Sequence, residues 1–198
     1  MSTAATRTAG SGRRVAGSAP YPWPWNGDLG LVRTAVLMID SVGAPQTGAW
    51  RTRADLIAAA LSTGGAPALR VITRGGRRAG GGAGSRTPVA RPGAPTMMSA
   101  GIDGFYGSAL DSWLRDREIE RIVLVGAWLE TSVHSTLRSA NDRGYECLLA
   151  LDACLAWDED LVAASASMVQ MSGGIFGAVA TTAAVLQAFT PSQTGDSA

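Results

Sequence analysis

The stretch RIVLVGAWLETSVHSTLRSANDR, residues 121–143, decides the fold. It begins with residues 121–126 (RIVLVG), which contain the continuous apolar run of residues 122–125, passes through a tight turn, and continues over residues 132–143 with the pattern of a helix. A short apolar run of this kind is typical of a strand buried on both faces, as in parallel sheets that are covered by helices. The stretch therefore predicts a strand, a turn and a helix of an α/β domain.

The same alternation continues in both directions along the chain. Further apolar runs predict strands, and helical spacing predicts helices between them. Strands that alternate with helices imply a three-layer, doubly wound parallel sheet with helices on both faces. The predicted strands are residues 34–39, 68–73, 121–126 and 146–151, and the predicted helices are residues 51–61, 108–116, 132–143, 159–171 and 178–189.

The ends of the chain differ in composition from its centre. Residues 1–19 consist mostly of small and polar residues and arginines, so we expect a disordered N-terminal arm. Residues 20–190 are expected to form the domain, and residues 191–198 a disordered tail. Residues 21–25 (YPWPW) contain three large aromatic rings that should pack on the body or on a partner subunit. Residues 75–95 are a low-complexity loop.

Composition excludes several classes of function. The net charge is +1, which gives no field for nucleic acid or an anionic membrane. All 17 basic residues are arginines, so mechanisms that need a lysine are excluded. One histidine and two cysteines cannot form a His/Cys zinc site. No apolar run reaches the ~18 residues of a membrane span. We expect a cytoplasmic protein with no cofactor and no nucleic-acid or membrane partner.

Two polar positions at predicted strand ends are candidates for chemistry. Asp40 ends the first strand, where a carboxylate can act as a general base or merely cap a helix. Ser132 begins the helix after residues 126–131, beside unpaired N–H groups that suit an oxyanion, but a serine there is also an ordinary N-cap. His134 lies about 200° round the same helix, so no Ser-His-Asp set is visible. Asp152 also ends a predicted strand, and we expect it to have a structural role.

Several segments resemble the isochorismatase-like cysteine hydrolases, and within them the biuret and ureidoacrylate amidohydrolase branch. The order and the spacing of these segments both agree with that family over about residues 21–189. The segments are YPWPW (21–25), TAVLMID (34–40), GFYGS (104–108), residues 126–142, NDRGYEC (141–147) and MVQMSGGIFGAVA (168–180).

The resemblance implies a catalytic aspartate, lysine and cysteine, in which the cysteine attacks a carbonyl carbon and the aspartate takes its proton. Asp40 stands at the aspartate position. Ser99, six residues before Phe105, stands at the lysine position, and Ser132 stands at the cysteine position. The backbone N–H groups of Trp128 and Ser132 are the implied oxyanion donors. We expect Asp40, Ser99 and Ser132 to converge near the carboxyl edge of the sheet.

Other departures from the family fall in the same pocket. The first strand runs on into residues 41–45 (SVGAP) instead of the Met-Gln and acidic-Phe pattern, and the segment between residues 73 and 104 is short. Cys147 and Cys154 are expected to be structural and unpaired, since the strand between them holds them too far apart for a disulfide.

Two hypotheses follow. In the first, the chain lacks amidohydrolase activity and serves as a binding or partner subunit, with a small-molecule ligand, as a homo-oligomer, or in a hetero-oligomer with an active paralogue. In the second, it is a hydrolase with altered chemistry that uses Asp40 as acid and base on a small amide, ureide or vinyl-ether substrate.

Overall fold

A computed structural model describes residues 13–74 and 94–189 of the chain. Six parallel strands form one sheet in the order β3-β2-β1-β4-β5-β6, with helices on both faces, which confirms the predicted fold class. The strands are β1 (Thr34–Ser41), β2 (Ala68–Thr73), β3 (Thr96–Met98), β4 (Arg121–Ala127), β5 (Glu146–Leu155) and β6 (Ala178–Ala180). The helices are α1 (Ala49–Thr63), α2 (Leu110–Arg115), α3 (His134–Asp142), α4 (Val162–Gly174) and α5 (Thr182–Phe189).

Two apolar layers sandwich the sheet, because alternate residues of each buried strand point to opposite faces. In β1, Leu37 and Ile39 belong to the layer that α2, α3 and α4 cover. Val36 and Met38 belong to the layer that α1 and α5 cover. The burial of residues 34–39 in β1 confirms the prediction from their apolar run, and Asp40 and Ser41, which follow that run, are buried as well.

The structure extends several predicted elements. The strand predicted over residues 68–73 is confirmed residue for residue as β2. β1 continues through Asp40 and Ser41. β5 continues to Leu155, so Asp152 lies within the strand rather than beyond its end. Its pairing with β4 shifts register between Leu124 and Gly126, an irregularity that the sequence pattern does not reveal.

Two short strands were absent from the sequence prediction. β3 at one edge and β6 at the other have three residues each, too few to show a period. The helix predicted over residues 178–189 is therefore wrong in its first turn, since α5 begins at Thr182. Of the predicted loop over residues 75–95, residues 75–93 lie outside the described residues.

The N-terminal arm requires a correction where it is described. Residues 13–19 were expected to be disordered, yet they pack on the domain. Val15 is fully buried, and its backbone N–H donates to the carbonyl of Trp23. Ser18 Oγ closes the turn by donating to the Val15 carbonyl at 2.7 Å. Backbone pairing and one buried side chain fix this segment, so it needs no amphipathic pattern. Residues 1–12 and 190–198 lie outside the described residues.

The segment also lies along the outer edge of β6. Ala19 and Val179 form an antiparallel bridge, with hydrogen bonds in both directions at 2.9 and 2.8 Å. Trp23 is fully buried, as expected for the aromatic segment, whereas Trp25 is 70% exposed.

Candidate functional site

The carboxyl ends of the strands gather the polar side chains that the sequence singles out. Parallel pairing places Asp40 beside Ala127 of β4, and Ser41 beside Thr73 of β2. In a doubly wound sheet this edge is where ligands bind. The candidate site is therefore built from the ends of β1, β2 and β4 and from the turn that follows β4.

Asp40 points toward the α1 side of the sheet. Its carboxylate is fully buried. Arg51, in the first turn of α1, donates from Nη1 to Oδ1 at 2.6 Å. Arg70 of β2 donates to Oδ2 from Nε at 2.9 Å and also from Nη2. Both carboxylate oxygens thus accept charge-assisted hydrogen bonds, and the contacts found for Asp40 include neither Ser99 nor Ser132.

Ser41 takes the place beside Ser132 that was expected for Asp40. Successive side chains of a strand point to opposite faces, so Ser41 points toward α3. Its Oγ lies 2.8 Å from Ser132 Oγ and 3.0 Å from Thr73 Oγ1. It also lies 2.5 Å from the carbonyl oxygen of Ala127. These residues form a buried hydroxyl cluster, Ser41, Thr73 and Ser132.

The turn after β4 presents Ser132 to that cluster. Leu129–Val133 form a π-helical turn that leads into α3. Thr136 Oγ1 donates to the Ser132 carbonyl at 2.7 Å, and the Gly104 N–H donates to the same hydroxyl, which fixes the helix start. Ser132 is 2% exposed. In the described part of the chain, no histidine, carboxylate or amine contacts its Oγ.

The implied oxyanion donor at Trp128 is already occupied. Its backbone N–H donates to Ser41 Oγ at 3.1 Å. Since a hydroxyl has one hydrogen, Ser41 cannot donate to both Ala127 and Ser132 at the same time. In one of these two contacts Ser41 Oγ must therefore act as the acceptor or make no hydrogen bond. The arrangement satisfies buried polar groups around the turn, and it contains no group that could accept a proton from Ser132 at neutral pH.

Gly126 allows β4 to approach β1 closely at this turn. Its φ is +131°, and a Cβ atom there would lie 2.0 Å from the Ile39 carbonyl oxygen. A side chain at this position would force β1 and β4 apart. The glycine therefore positions Ala127 within reach of Ser41.

Ser99 is used by its own turn. It is 3% exposed, its Oγ donates to the Gly101 carbonyl at 2.8 Å, and its backbone N–H donates to Ile72. It follows β3, which β2 separates from β1 in the sheet. The structure thus brings Ser132 to Ser41, while Ser99 and Asp40 each have other partners.

The titratable groups nearest in sequence do not supply a base or a thiolate. Burial and the neighbouring Arg138 lower the pKa of His134, and its Nε2 has no hydrogen-bond partner. Cys147 and Cys154 are both free, as expected. Burial raises the pKa of both thiols, that of Cys154 to about 12, so neither is a thiolate at neutral pH.

Asp152 has the structural role that its position favours. Its Oδ1 accepts hydrogen bonds from the backbone N–H and the hydroxyl of Thr182, at 2.7 and 2.9 Å. Those contacts cap the start of α5.

Sequence reasoning did not find Ser41, Thr73, Arg51 or Arg70. The signal for Arg70 was present, because an arginine interrupts the apolar strand ALRVIT and must find a buried partner. Ser41 directly follows the aspartate, but its role depends on which face of the sheet carries α3.

Neither a metal site nor a membrane-spanning helix is present among the described residues. Within residues 13–74 and 94–189, no three His, Cys, Asp or Glu side chains are placed to hold a metal ion. None of the helices found there is long and apolar enough to cross a membrane.

Sequence comparison links the chain to known proteins. Residues 85–184, about half of the chain, match the isochorismatase domain. A curated relative, the uncharacterized isochorismatase family protein YecD of Escherichia coli O157:H7, is 44% identical over 52 residues. That stretch covers 26% of this chain and only 28% of the relative.

Solved structures share the fold along most of their length. A cysteine hydrolase from Pseudomonas syringae pv. phaseolicola superposes with a TM-score of 0.67 at 18% identity, over 80% of this chain and 93% of that one. The N-carbamoylsarcosine amidase of Thermoplasma acidophilum gives 0.62 at 18% identity, over 76% and 96%. The nicotinamidase SaPncA of Staphylococcus aureus gives 0.57 at 18% identity, over 75% and 98%. At such identities the likeness concerns the fold alone.

Proposed function

Because the chain belongs to the isochorismatase family, we propose that it is a member without amidohydrolase activity that acts as a binding protein or partner subunit. We assign it to the biuret and ureidoacrylate amidohydrolase branch, on the segments at residues 141–147 and 168–180. The observation that carries the proposal is the hydroxyl cluster around Ser132.

A serine needs a base to become a nucleophile, because its hydroxyl is far less acidic than a thiol. Here the side-chain group that hydrogen-bonds Ser132 Oγ is the hydroxyl of Ser41, 2.8 Å away. A second hydroxyl cannot take the proton at neutral pH. Ser132 is therefore a hydrogen-bonding residue at the position where the family has its cysteine.

Asp40 is also unable to act in proton transfer, because both of its carboxylate oxygens are engaged. Arg51 and Arg70 occupy both of its carboxylate oxygens, and an arginine guanidinium does not deprotonate in proteins. The chain contains no lysine to supply the third member of the family's set. Asp40 thus becomes the centre of a buried ionic cluster that joins β1, β2 and α1.

Aromatic rings remain at the same edge and could contact a small ligand. Trp128 is half-buried and packs against the cluster of Ala44, Trp50 and Ala127. Trp157 meets Trp128 edge to face, with ring centroids 4.9 Å apart. A small molecule with a planar or apolar part could stack on these rings, and the binding arm of the test below addresses this.

The test is a hydrolysis screen on the purified 198-residue chain, beside an active family member. The substrates are biuret, ureidoacrylate, other small amides and isochorismate, and the same compounds are tested for binding by thermal shift. We expect turnover indistinguishable from that of the Asp40→Asn and Ser132→Ala variants. Turnover that Asp40→Asn abolishes, while circular dichroism and thermal melting show that this variant is still folded, would instead establish the altered hydrolase that uses Asp40 as acid and base. Turnover that Ser132→Ala abolishes would establish Ser132 as a nucleophile.

A further inference from the structure

A cavity lies between the N-terminal segment and α5, on the face of the sheet that α1 and α5 cover. Its volume is about 210 Å³. The residues that line it are Arg13, Arg14, Ala16, Ala184, Gln187 and Ala188. None of them belongs to the strand ends or to the turn after β4, so the cavity is separate from the candidate site around Ser132.

The walls of the cavity carry positive charge only. In the N-terminal segment, residues 13–25 contain two arginines, Arg13 and Arg14, and no other charged residue. α5 (TAAVLQAF) has no charged residue at all. Because no carboxylate lines the cavity and two guanidinium groups border it, the cavity favours an anion over a cation.

Arg14 is held in place by the backbone of its own segment. Its Nη2 donates to the carbonyl of Trp25 at 3.4 Å. A Cβ atom on Gly27 would lie 2.9 Å from the same nitrogen, so the guanidinium packs directly on the glycine. Among the described residues, the bond to Trp25 is the one hydrogen bond of this guanidinium, so most of its five N–H donors can serve a ligand. A cation that is already positioned loses less conformational entropy when it binds.

Arg13 joins the two walls. Its Nη2 donates to the carbonyl of Ala188 near the end of α5, at 2.6 Å. The positive charge of Arg13 therefore lies at the border between the N-terminal segment and the helix. An anion in the cavity would be within the field of both arginines.

The remaining lining limits the class of anion. Three of the six lining side chains are the methyl groups of Ala16, Ala184 and Ala188, which suit a short hydrocarbon. Pockets for drug-sized ligands have volumes of about 300–1,000 Å³, so this cavity fits a smaller molecule. A planar guanidinium can bind both oxygens of a carboxylate through two parallel hydrogen bonds.

We propose that this cavity binds a small organic carboxylate. Its carboxylate group accepts hydrogen bonds from Arg14, and its carbon chain contacts the three alanines. Because Arg14 belongs to the N-terminal segment and Ala184 and Ala188 belong to α5, the ligand holds the segment on the helix. This site goes beyond the proposed function, and it exists whether or not a molecule binds at the carboxyl edge of the sheet.

Isothermal titration calorimetry of the 198-residue chain with butyrate, at constant ionic strength, tests the site. We expect saturable binding of one butyrate per chain with a Kd of about 1 mM or lower. n-Butylammonium, which has the same carbon chain and the opposite charge, should not bind. Arg14→Gln should raise the Kd for butyrate about tenfold or more, since it removes charge-assisted hydrogen bonds. Arg117→Gln is the matched control, because Arg117 is exposed beyond α2 on the other face of the sheet. The control should leave the Kd unchanged.

A second variant tests the cavity itself. Ala184→Leu fills it from the wall of α5 and should abolish butyrate binding, while thermal melting shows that the variant is folded. Arg14 is exposed, so Arg14→Gln keeps the test valid if Ala184→Leu does not fold. The absence of saturable binding to the unaltered chain would overturn the proposal. Equal affinity for butyrate and n-butylammonium would also overturn it, and so would a Kd that Arg14→Gln leaves unchanged.

Trypsin provides a separate measurement of the contact between the segment and α5. It cleaves after arginine, so bound butyrate should slow cleavage after Arg13 and Arg14 at least threefold, as followed by mass spectrometry. n-Butylammonium should have no such effect. Butyrate that binds without slowing this cleavage would show that it occupies another part of the molecule, which would overturn the proposal.

Discussion

The hydroxyl oxygens of Ser41 and Ser132 lie 2.8 Å apart at the carboxyl edge of the sheet. Asp40, one residue earlier, points to the other face, where Arg51 and Arg70 bind it. One step along a strand thus separates a hydroxyl cluster from a buried ionic cluster. This division is the physical basis for the loss of hydrolysis that we propose.

Ser41→Ala should destabilise the fold. The change removes the hydroxyl that serves the Ala127 carbonyl and the Trp128 N–H, which leaves both buried groups without this partner. We expect the free energy of unfolding to fall by about 1–3 kcal/mol in urea denaturation. Ser62→Ala, at an exposed position of α1, should change it by less than about 0.5 kcal/mol. Equal losses in the two variants would contradict the role of the cluster.

Arg51→Met should lower the free energy of unfolding more than the same substitution at an exposed arginine does. Arg51 and Asp40 are both almost fully buried, so the substitution removes one partner of a buried ion pair. Such losses cost about 3–5 kcal/mol. Arg53→Met is the control on the same helix, because its pair with Asp152 is exposed and should contribute only about 0–1 kcal/mol. Denaturation midpoints that shift equally would show that Asp40 is not held by Arg51.

The stability of the protein should depend on pH through its single histidine. Burial and Arg138 lower the pKa of His134 below its ordinary value of about 6.5. The folded state then binds a proton less readily than the unfolded chain, so the free energy of unfolding should decrease as pH falls below about 6.5.

The His134→Gln variant provides the comparison for this pH effect. Its free energy of unfolding should lack that decrease when both proteins are denatured in urea at a series of pH values. Glu146, whose pKa is raised chiefly by burial, contributes a slope of opposite sign that is common to both proteins. The difference between the two curves therefore reports His134 alone, and parallel curves would rule out the lowered pKa.

Gly126→Ala should prevent normal folding. A Cβ atom there overlaps the backbone of Ile39 at 2.0 Å, and φ is +131°. Gly144→Ala is the matched control, since Gly144 also has positive φ but no atom within 4 Å of a Cβ. The control should lose only about 1–3 kcal/mol from backbone strain. Thermal melting and the yield of soluble protein distinguish the two, and comparable melting temperatures would refute the close approach.

Rebuilding the family's reactive groups should not restore hydrolysis. Ser132→Cys with Ser99→Lys supplies a thiol and an amine. Asp40 would still be held by two arginines, and Ser41 would still lie beside the new thiol. We expect no useful turnover of biuret or ureidoacrylate. Turnover within about tenfold of an active relative would show that two residues alone account for the loss.

The central strands could be predicted from sequence because burial on both faces leaves continuous apolar runs. β2 was predicted residue for residue, and β1 and β4 nearly so. β3 and β6 were not predicted, because three residues are too few to show a hydrophobic period. Their pairing also depends on neighbours that are distant in sequence. The packing of Val15 escaped for a similar reason, since the backbone of Trp23 fixes it.

The candidate site was predictable in position but not in its contacts. Asp40 and Ser132 could be placed at the same edge, because parallel strands end together. Whether Asp40 or Ser41 faces Ser132 depends on which side of β1 carries α3. The sequence does not reveal on which face of the sheet α3 packs, so it cannot decide which of the two side chains faces Ser132. The arginine in β2 was the one local clue that Asp40 has a charged partner.

The bridge between Ala19 and Val179 has a consequence for solubility. β6 ends the sheet, and its outer backbone groups would otherwise be open to a strand from another molecule. At Ala19 the N-terminal segment pairs with that edge in the antiparallel sense, which protects the centre of β6 from pairing with another strand. Removal of residues 1–20 should therefore expose this edge together with the surface that Val15 covers, and the shortened chain should aggregate more readily than the 198-residue chain.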